Sequence, residues 1–121
     1  MPNAAVRSES LLPRLLFWAA TAFAFVMAVI PHPPELPGRP SDKVQHIVAF
    51  LVLAGLGRWA YPNIRKREQL LALAGFGALI EMVQAIPALH RDSDPYDWVA
   101  DVAAALTVFV IVWLWREWDR R

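Results

Sequence analysis

The sequence predicts an all-α protein, a four-helix transmembrane bundle with antiparallel neighbours and both termini in the cytoplasm. Three observations carry this expectation: an apolar content too high for a small soluble core, four apolar runs of near-membrane length, and a one-sided distribution of lysine and arginine. The chain has 121 residues, of which 57% are hydrophobic, and its mean hydropathy is positive. One small domain cannot bury that much apolar surface within itself, so lipid is the expected solvent and membrane lipid the expected partner. A net charge of +1 carries no global signal toward nucleic acid, and none is expected as a partner. The chain has no cysteine, which excludes a disulfide framework, a thiolate metal site and a thiol nucleophile.

A hydrocarbon core takes about 20 helical residues, with a range of about 17 to 25. The first run, "LLFWAATAFAFVMAVI" over 15–30, follows Arg14 and closes at Pro31. No small-x-small cleavage pattern follows it, so it reads as an uncleaved span and not as a signal peptide. The second, "VQHIVAFLVLAGLGRWAY" over 44–61, stops at Pro62, and the third, "LLALAGFGALIEMVQAI" over 70–86, stops at Pro87. A residue before proline disfavours the helical region, which makes these prolines terminators. The fourth run, "WVADVAAALTVFVIVWLW", covers 98–115. Trp59, Tyr61, Tyr96, Trp98, Trp113, Trp115 and Trp118 gather at run ends, where amphipathic rings sit at headgroup level. Between the first two runs, "PHPPELPGRP" over 31–40 reads as a stiff polyproline spacer on the outer side.

Basic residues bias loops toward the cytoplasm. Four spans place Arg7, Arg14, Arg58, Arg65, Lys66, Arg67, Arg116, Arg120 and Arg121 on one side, and only Arg39, Lys43 and Arg91 on the other. Nine against three predicts a multi-pass inner-membrane protein, with "NIRKRE" as an inner-leaflet anchor.

The opposite side collects the remaining polar chemistry. Asp42 and His46 are spaced i, i+4 on one face of the second helix, and Lys43 lies about 4.5 Å along the axis from His46. On the third helix Glu81 and Gln84 are i, i+3, with Glu81 about 9 Å inside Pro87. Their face continues through Ala74, Gly77 and Ala78, small residues that allow close helix approach, so Glu81 is expected to face the bundle. On the fourth helix Asp97 and Asp101 are one turn apart, and Ala104 and Ala105 extend the stripe. An ionisable group inside a membrane costs about 2.5–3.5 kcal/mol on insertion scales, which makes a functional site the default reading. Glu81 and His46 are the candidates for proton transfer. Asp42, Lys43, Gln84, Arg91, Asp97 and Asp101 are the candidates for ligand binding.

"DKVQHIVAFLVLAGLG" followed by "IEMVQAIPALHRDSDPYDWVADVAAA" resembles the VanZ-like family of small bacterial membrane proteins. The matching residues are Asp42, Lys43, His46 and Phe50, then Glu81, Gln84, Pro87, Arg91, Asp97 and Asp101. The likeness runs from Ser41 to about Ala105, and the first span is similar only in hydropathy. Asp101 stands where many members carry Asn, and Ala104 where Gly is usual. An ionised carboxylate accepts hydrogen bonds but cannot donate one as an amide does. The resemblance implies one membrane domain over 1–121 with an outward polar site in the cell envelope. The family's founding member is associated with low-level teicoplanin resistance, a phenotype that defines no reaction.

Taken one by one, several of these residues have plainer roles. Lys43 and Arg91 read as side chains that snorkel to the interface. Asp92 and Asp94 read as solvated turn residues, and Asp97 as a cap of the last helix as much as a site residue. Ser41 is expected to cap the second helix. His46, Glu81, Asp97 and Asp101 are all potential metal ligands, but no local spacing signature joins them, and no metal or other cofactor is assigned. No phosphate loop or nucleophilic serine motif is present. The functional expectation is a site near the outer leaflet that binds or processes an anionic lipid-linked or glycopeptide-related envelope molecule. A proton-coupled transport element and a noncatalytic scaffold are the alternatives.

Overall fold

A computed structural model describes the backbone from residue 4 to 121 and side chains from Ser10 onward; Arg7 lies outside the described side chains. Four α-helices account for the architecture, and the described residues include no strand: α1 Ala4–Val29, α2 Asp42–Ala60, α3 Lys66–Gln84 and α4 Pro95–Asp119. Each helix differs from its apolar run mainly at the ends, because polar flanks such as Lys66–Gln69 and Arg116–Asp119 continue the helical hydrogen bonding that hydropathy does not register. Ser41 caps α2 through its hydroxyl, which accepts from the Val44 N–H at 3.3 Å. Asp94, not Asp97, caps α4: its carboxylate accepts from the Tyr96 N–H at 3.0 Å. Pro95, with its fixed φ and missing donor, suits the first helical position and so makes the preceding residue the cap. In the proline-rich loop the turn from Leu36 to Arg39 closes with a 3.0 Å backbone bond. Gly38 takes the positive φ of 79° that the turn requires there.

Helix α2 packs most extensively against α4 and α1, and α3 against α4. Successive helices run antiparallel. Arg14, in the N-terminal half of α1, donates to the Ala60 carbonyl at the end of α2 and stacks over the Tyr61 ring. Gln84, at the end of α3, reaches Ala28 at the end of α1. The core joins Phe50, Leu53 and Ala54 of α2, Leu73 and Ile80 of α3, and Ala104, Ala105 and Phe109 of α4. The small-residue stripe does bring helices together. A Cβ placed on Gly77 would lie 3.1 Å from Asp101 Oδ2 and 3.4 Å from Phe50 Cζ, so a larger residue there would require Asp101 or Phe50 to give way by a few tenths of an ångström.

Large apolar side chains face outward on every helix, among them Trp18 and Phe23, Val48 and Val52, Leu71 and Met82, and Leu106 and Leu114. His46, Arg58, Glu81, Gln84, Asp97 and Asp101 are buried. A soluble monomer rarely exposes apolar surface so continuously. Two helices, over Ser10–Val29 and Pro95–Asp119, are long and apolar enough to cross a membrane. Only 6% and 22% of their most apolar stretches are buried, which distinguishes them from the core helices of a soluble protein. Helices α2 and α3 are shorter, at 19 residues each, and carry more polar groups.

Arg58 has a second role beside its predicted place among the basic residues of the inner side. It is 7% exposed, and its guanidinium donates to the carbonyls of Ile64 and Pro62 and to Gln69 Oε1. Gln69 in turn donates to the carbonyls of Gly57 and Tyr61, so the pair satisfies the chain where α2 ends. Charge-assisted hydrogen bonds of this kind contribute about 1.5–3 kcal/mol. Arg58→Ala is therefore expected to lower stability by about that amount in detergent-solubilised unfolding. Arg58→Lys should not restore it, because one ammonium cannot span carbonyls that need the planar fork.

Candidate functional site

The polar end of the bundle is formed by the starts of α2 and α4, the ends of α1 and α3, and the segment between α3 and α4. That segment turns sharply. After a 3-10 turn at Pro87–Leu89, His90 adopts a left-handed conformation and its N–H closes on the Pro87 carbonyl. The reversal directs Arg91 toward α1 and returns Ser93 and Asp94 to Glu81.

At the rim, Lys43 Nζ lies 3.1 Å from Asp97 Oδ1 and 3.6 Å from Asp94 Oδ2. Lys43 is thus held between α2 and α4 and does not simply reach for the interface. Asp97 itself is 6% exposed, a buried carboxylate compensated by one lysine.

Inward of this pair lies a second group. His46 Nδ1 approaches Asp101 Oδ1 and Oδ2 at 3.1 and 3.2 Å, and the carboxylate has no exposed surface. Donor atoms of His46, Glu81 and Asp101 all lie within 4.8 Å of one another, and all three residues are buried. Glu81 is fixed on one side only. Its Oε2 accepts from the Ser93 hydroxyl at 3.2 Å and from the Asp94 N–H at 3.1 Å. Its Oε1 is buried without a hydrogen-bond partner. Three helices therefore converge on one polar centre, with His46 from α2, Glu81 from α3 and Asp101 from α4.

The remaining predicted residues divide differently from what their spacing implies. Asp42 and His46 share a face, but Asp42 does not pair with His46; its carboxylate lies 4.0 Å from the Arg91 guanidinium. Arg91 spends two further hydrogen bonds on the carbonyls of Met27 and Ile30, closing the open end of α1. Gln84 turns away from Glu81 and donates to the Ala28 carbonyl at 2.9 Å. Both thus act first on α1, whose last carbonyls lack helical partners. Arg91 and Asp42, but not Gln84, border a cavity of about 350 Å³ between α1 and α2. Its wall is apolar, with Phe23, Met27, Val48 and Val52, while Asp42, His46 and Arg91 stand at its polar end.

A histidine oriented by a buried carboxylate, beside a second carboxylate, can relay a proton or activate a bound water. No family model, curated protein or solved structure matches this chain. What the site can do therefore rests on its own geometry. Two contributors were not assigned from sequence. Ser93 and the Asp94 N–H orient Glu81, and Asp94 also pairs with Lys43. The Asp94-Pro95 step is the sequence signal that marks the cap, and hence the place where the backbone N–H returns to α3.

Proposed function

We infer that the chain is a VanZ-like integral membrane protein of the bacterial cell envelope, crossing the inner membrane with all four helices and both termini in the cytoplasm. Its outward polar end binds or processes an anionic, lipid-linked envelope molecule. The observation that carries this reading is the cavity between α1 and α2, whose apolar walls lead to Asp42, His46 and Arg91. An apolar body with one polar end fits a lipid tail attached to a charged headgroup. Lys43 and Arg91 supply positive charge for the anion, and His46 with Glu81 supplies proton transfer.

Burial supports counting α2 and α3 as spans. His46, Arg58, Glu81 and Gln84 lower the hydropathy of these helices, yet all four face inward and need not meet lipid. Val48, Val52, Leu71, Leu79 and Met82 are what the two helices present outward.

The absence of native cysteine allows a direct test. In intact cells Asp92→Cys is expected to react with a membrane-impermeant maleimide, and Arg120→Cys only after lysis. Equal labelling of both positions in intact cells contradicts the topology. Ala24 lines the cavity, so Ala24→Trp is expected to fill it and reduce co-purifying anionic lipid by about 10-fold, a loss of about 1.4 kcal/mol, in native mass spectrometry. Unchanged lipid retention in a folded Ala24→Trp protein counts against the cavity as the binding site.

A further inference from the structure

We propose that His46, Glu81 and Asp101 form a binding site for a divalent first-row transition-metal ion of the Zn²⁺ or Mn²⁺ class. One imidazole and two carboxylates are a borderline-to-hard donor set suited to such ions. The distances fit. Metal bonds of about 2.1 Å place neighbouring tetrahedral donors about 3.4 Å apart. The 3.1 Å separation of His46 Nδ1 and Asp101 Oδ1 is close to that edge already. Glu81 closes the triangle from within 4.8 Å, a gap that a modest change in its side-chain torsions removes.

A second observation points to a cation independently of the clustering. Glu81 is 8% exposed, and its Oε1 is buried without a partner. Leaving a carboxylate oxygen desolvated and unpaired is expensive, and a cation at the centre of the triad relieves it. No lysine or arginine is available for that purpose. Lys43 is held by Asp97 and Asp94, and Arg91 lies against Asp42 and the end of α1. Among the described residues, neither Glu81 nor Asp101 has a lysine or arginine within ion-pair distance. Two carboxylates and a neutral imidazole carry a charge of −2, which a divalent ion balances.

Outer support is also in place. Ser93 and the Asp94 N–H fix Oε2 and so orient Glu81, as hydrogen-bonded carboxylate ligands are commonly fixed. Gly77 leaves no side chain between α3 and Asp101. Three protein donors leave positions open for water or a substrate oxygen, the arrangement of a reactive rather than a structural metal site. On the lipid reading, the ion would also counter the excess of acidic charge that an anionic headgroup meets here.

The test uses the full chain in detergent, stripped with chelator and titrated with ZnCl₂ or MnCl₂ alone, so that its result is independent of whether lipid binds. One ion per chain is expected by elemental analysis after gel filtration. Glu81→Gln, His46→Ala and Asp101→Asn are each expected to weaken binding at least 100-fold, since loss of an outer-shell partner alone costs about 10- to 100-fold. Co²⁺ should give visible absorption bands of a low-symmetry site, lost in Glu81→Gln. That variant is decisive if the others fail to fold, because its amide oxygen can still accept from Ser93 and the Asp94 N–H. Absence of stoichiometric metal, or undiminished affinity in folded Glu81→Gln, overturns the proposal.

Discussion

Replacing Asp101 by leucine is expected to destabilise the protein by about 1–3 kcal/mol, the penalty typical of leaving a buried hydrogen-bonding group without its partner. Asp101 has no exposed surface, and both of its oxygens lie within 3.2 Å of His46 Nδ1. Leucine leaves that ring nitrogen, itself on a residue only 8% exposed, without a partner. The branched side chain also meets the close approach at Gly77, where Oδ2 now lies 3.1 Å from the position of a Cβ. Asp101→Asn keeps the volume and one acceptor oxygen, and should cost less than about 1.5 kcal/mol. The comparison is made by equilibrium unfolding in mixed micelles. Adding His46→Leu to Asp101→Leu should recover part of the loss, because the stranded imidazole is removed as well. Strict additivity in that cycle would show that the two side chains do not act as a pair.

The second large effect is expected at Glu81, and it is functional. Glu81→Gln preserves shape and keeps an acceptor for the Ser93 hydroxyl and the Asp94 N–H. What it removes is the charge and the ability to exchange a proton. A proton-transfer role predicts a loss of about 100-fold or more in the activity the site supports, within the 10²–10⁴ that such groups contribute. Abundance and thermal stability should change little. On the proposed VanZ-like reading, teicoplanin susceptibility of a deletion strain carrying each variant would be the cellular readout, with Glu81→Gln expected to match the empty vector. A scaffold needs only the hydrogen bonds that glutamine retains, so full complementation by Glu81→Gln would favour that role.

Helix existence was readable because its causes are local. Pro31, Pro62 and Pro87 end runs for reasons of backbone geometry, and Ser41 caps α2 with a bond three residues away. The inward face of α3 was equally visible, since Ala74, Gly77, Ala78, Glu81 and Gln84 recur at helical spacing. Other assignments depended on neighbours that spacing does not specify. Asp42 is the carboxylate one turn from His46 in sequence, whereas the one His46 meets is Asp101, 55 residues away. Arg58 counts among the basic residues of one side, and what spacing does not reveal is that its guanidinium folds back on the carbonyls that follow α2. A metal site drew no assignment because its donors come singly from three helices, leaving no motif to find.

By itself, the sequence determined four helices, their approximate ends, the outward apolar surfaces and the faces that carry small and ionisable residues. Those properties follow from a 3.6-residue period, proline stereochemistry and the segregation of apolar from ionisable residues around each helix. Tertiary structure alone decided which carboxylate each cation or imidazole meets: Lys43 with Asp97, Arg91 near Asp42, and His46 with Asp101. It also left one oxygen of Glu81 unpaired beside that last pair. The reason is geometric. Periodicity fixes a face on each helix, but the rotation and axial offset between helices arise from packing such as that of Gly77 against Asp101 and Phe50, and an offset of one turn changes every partner.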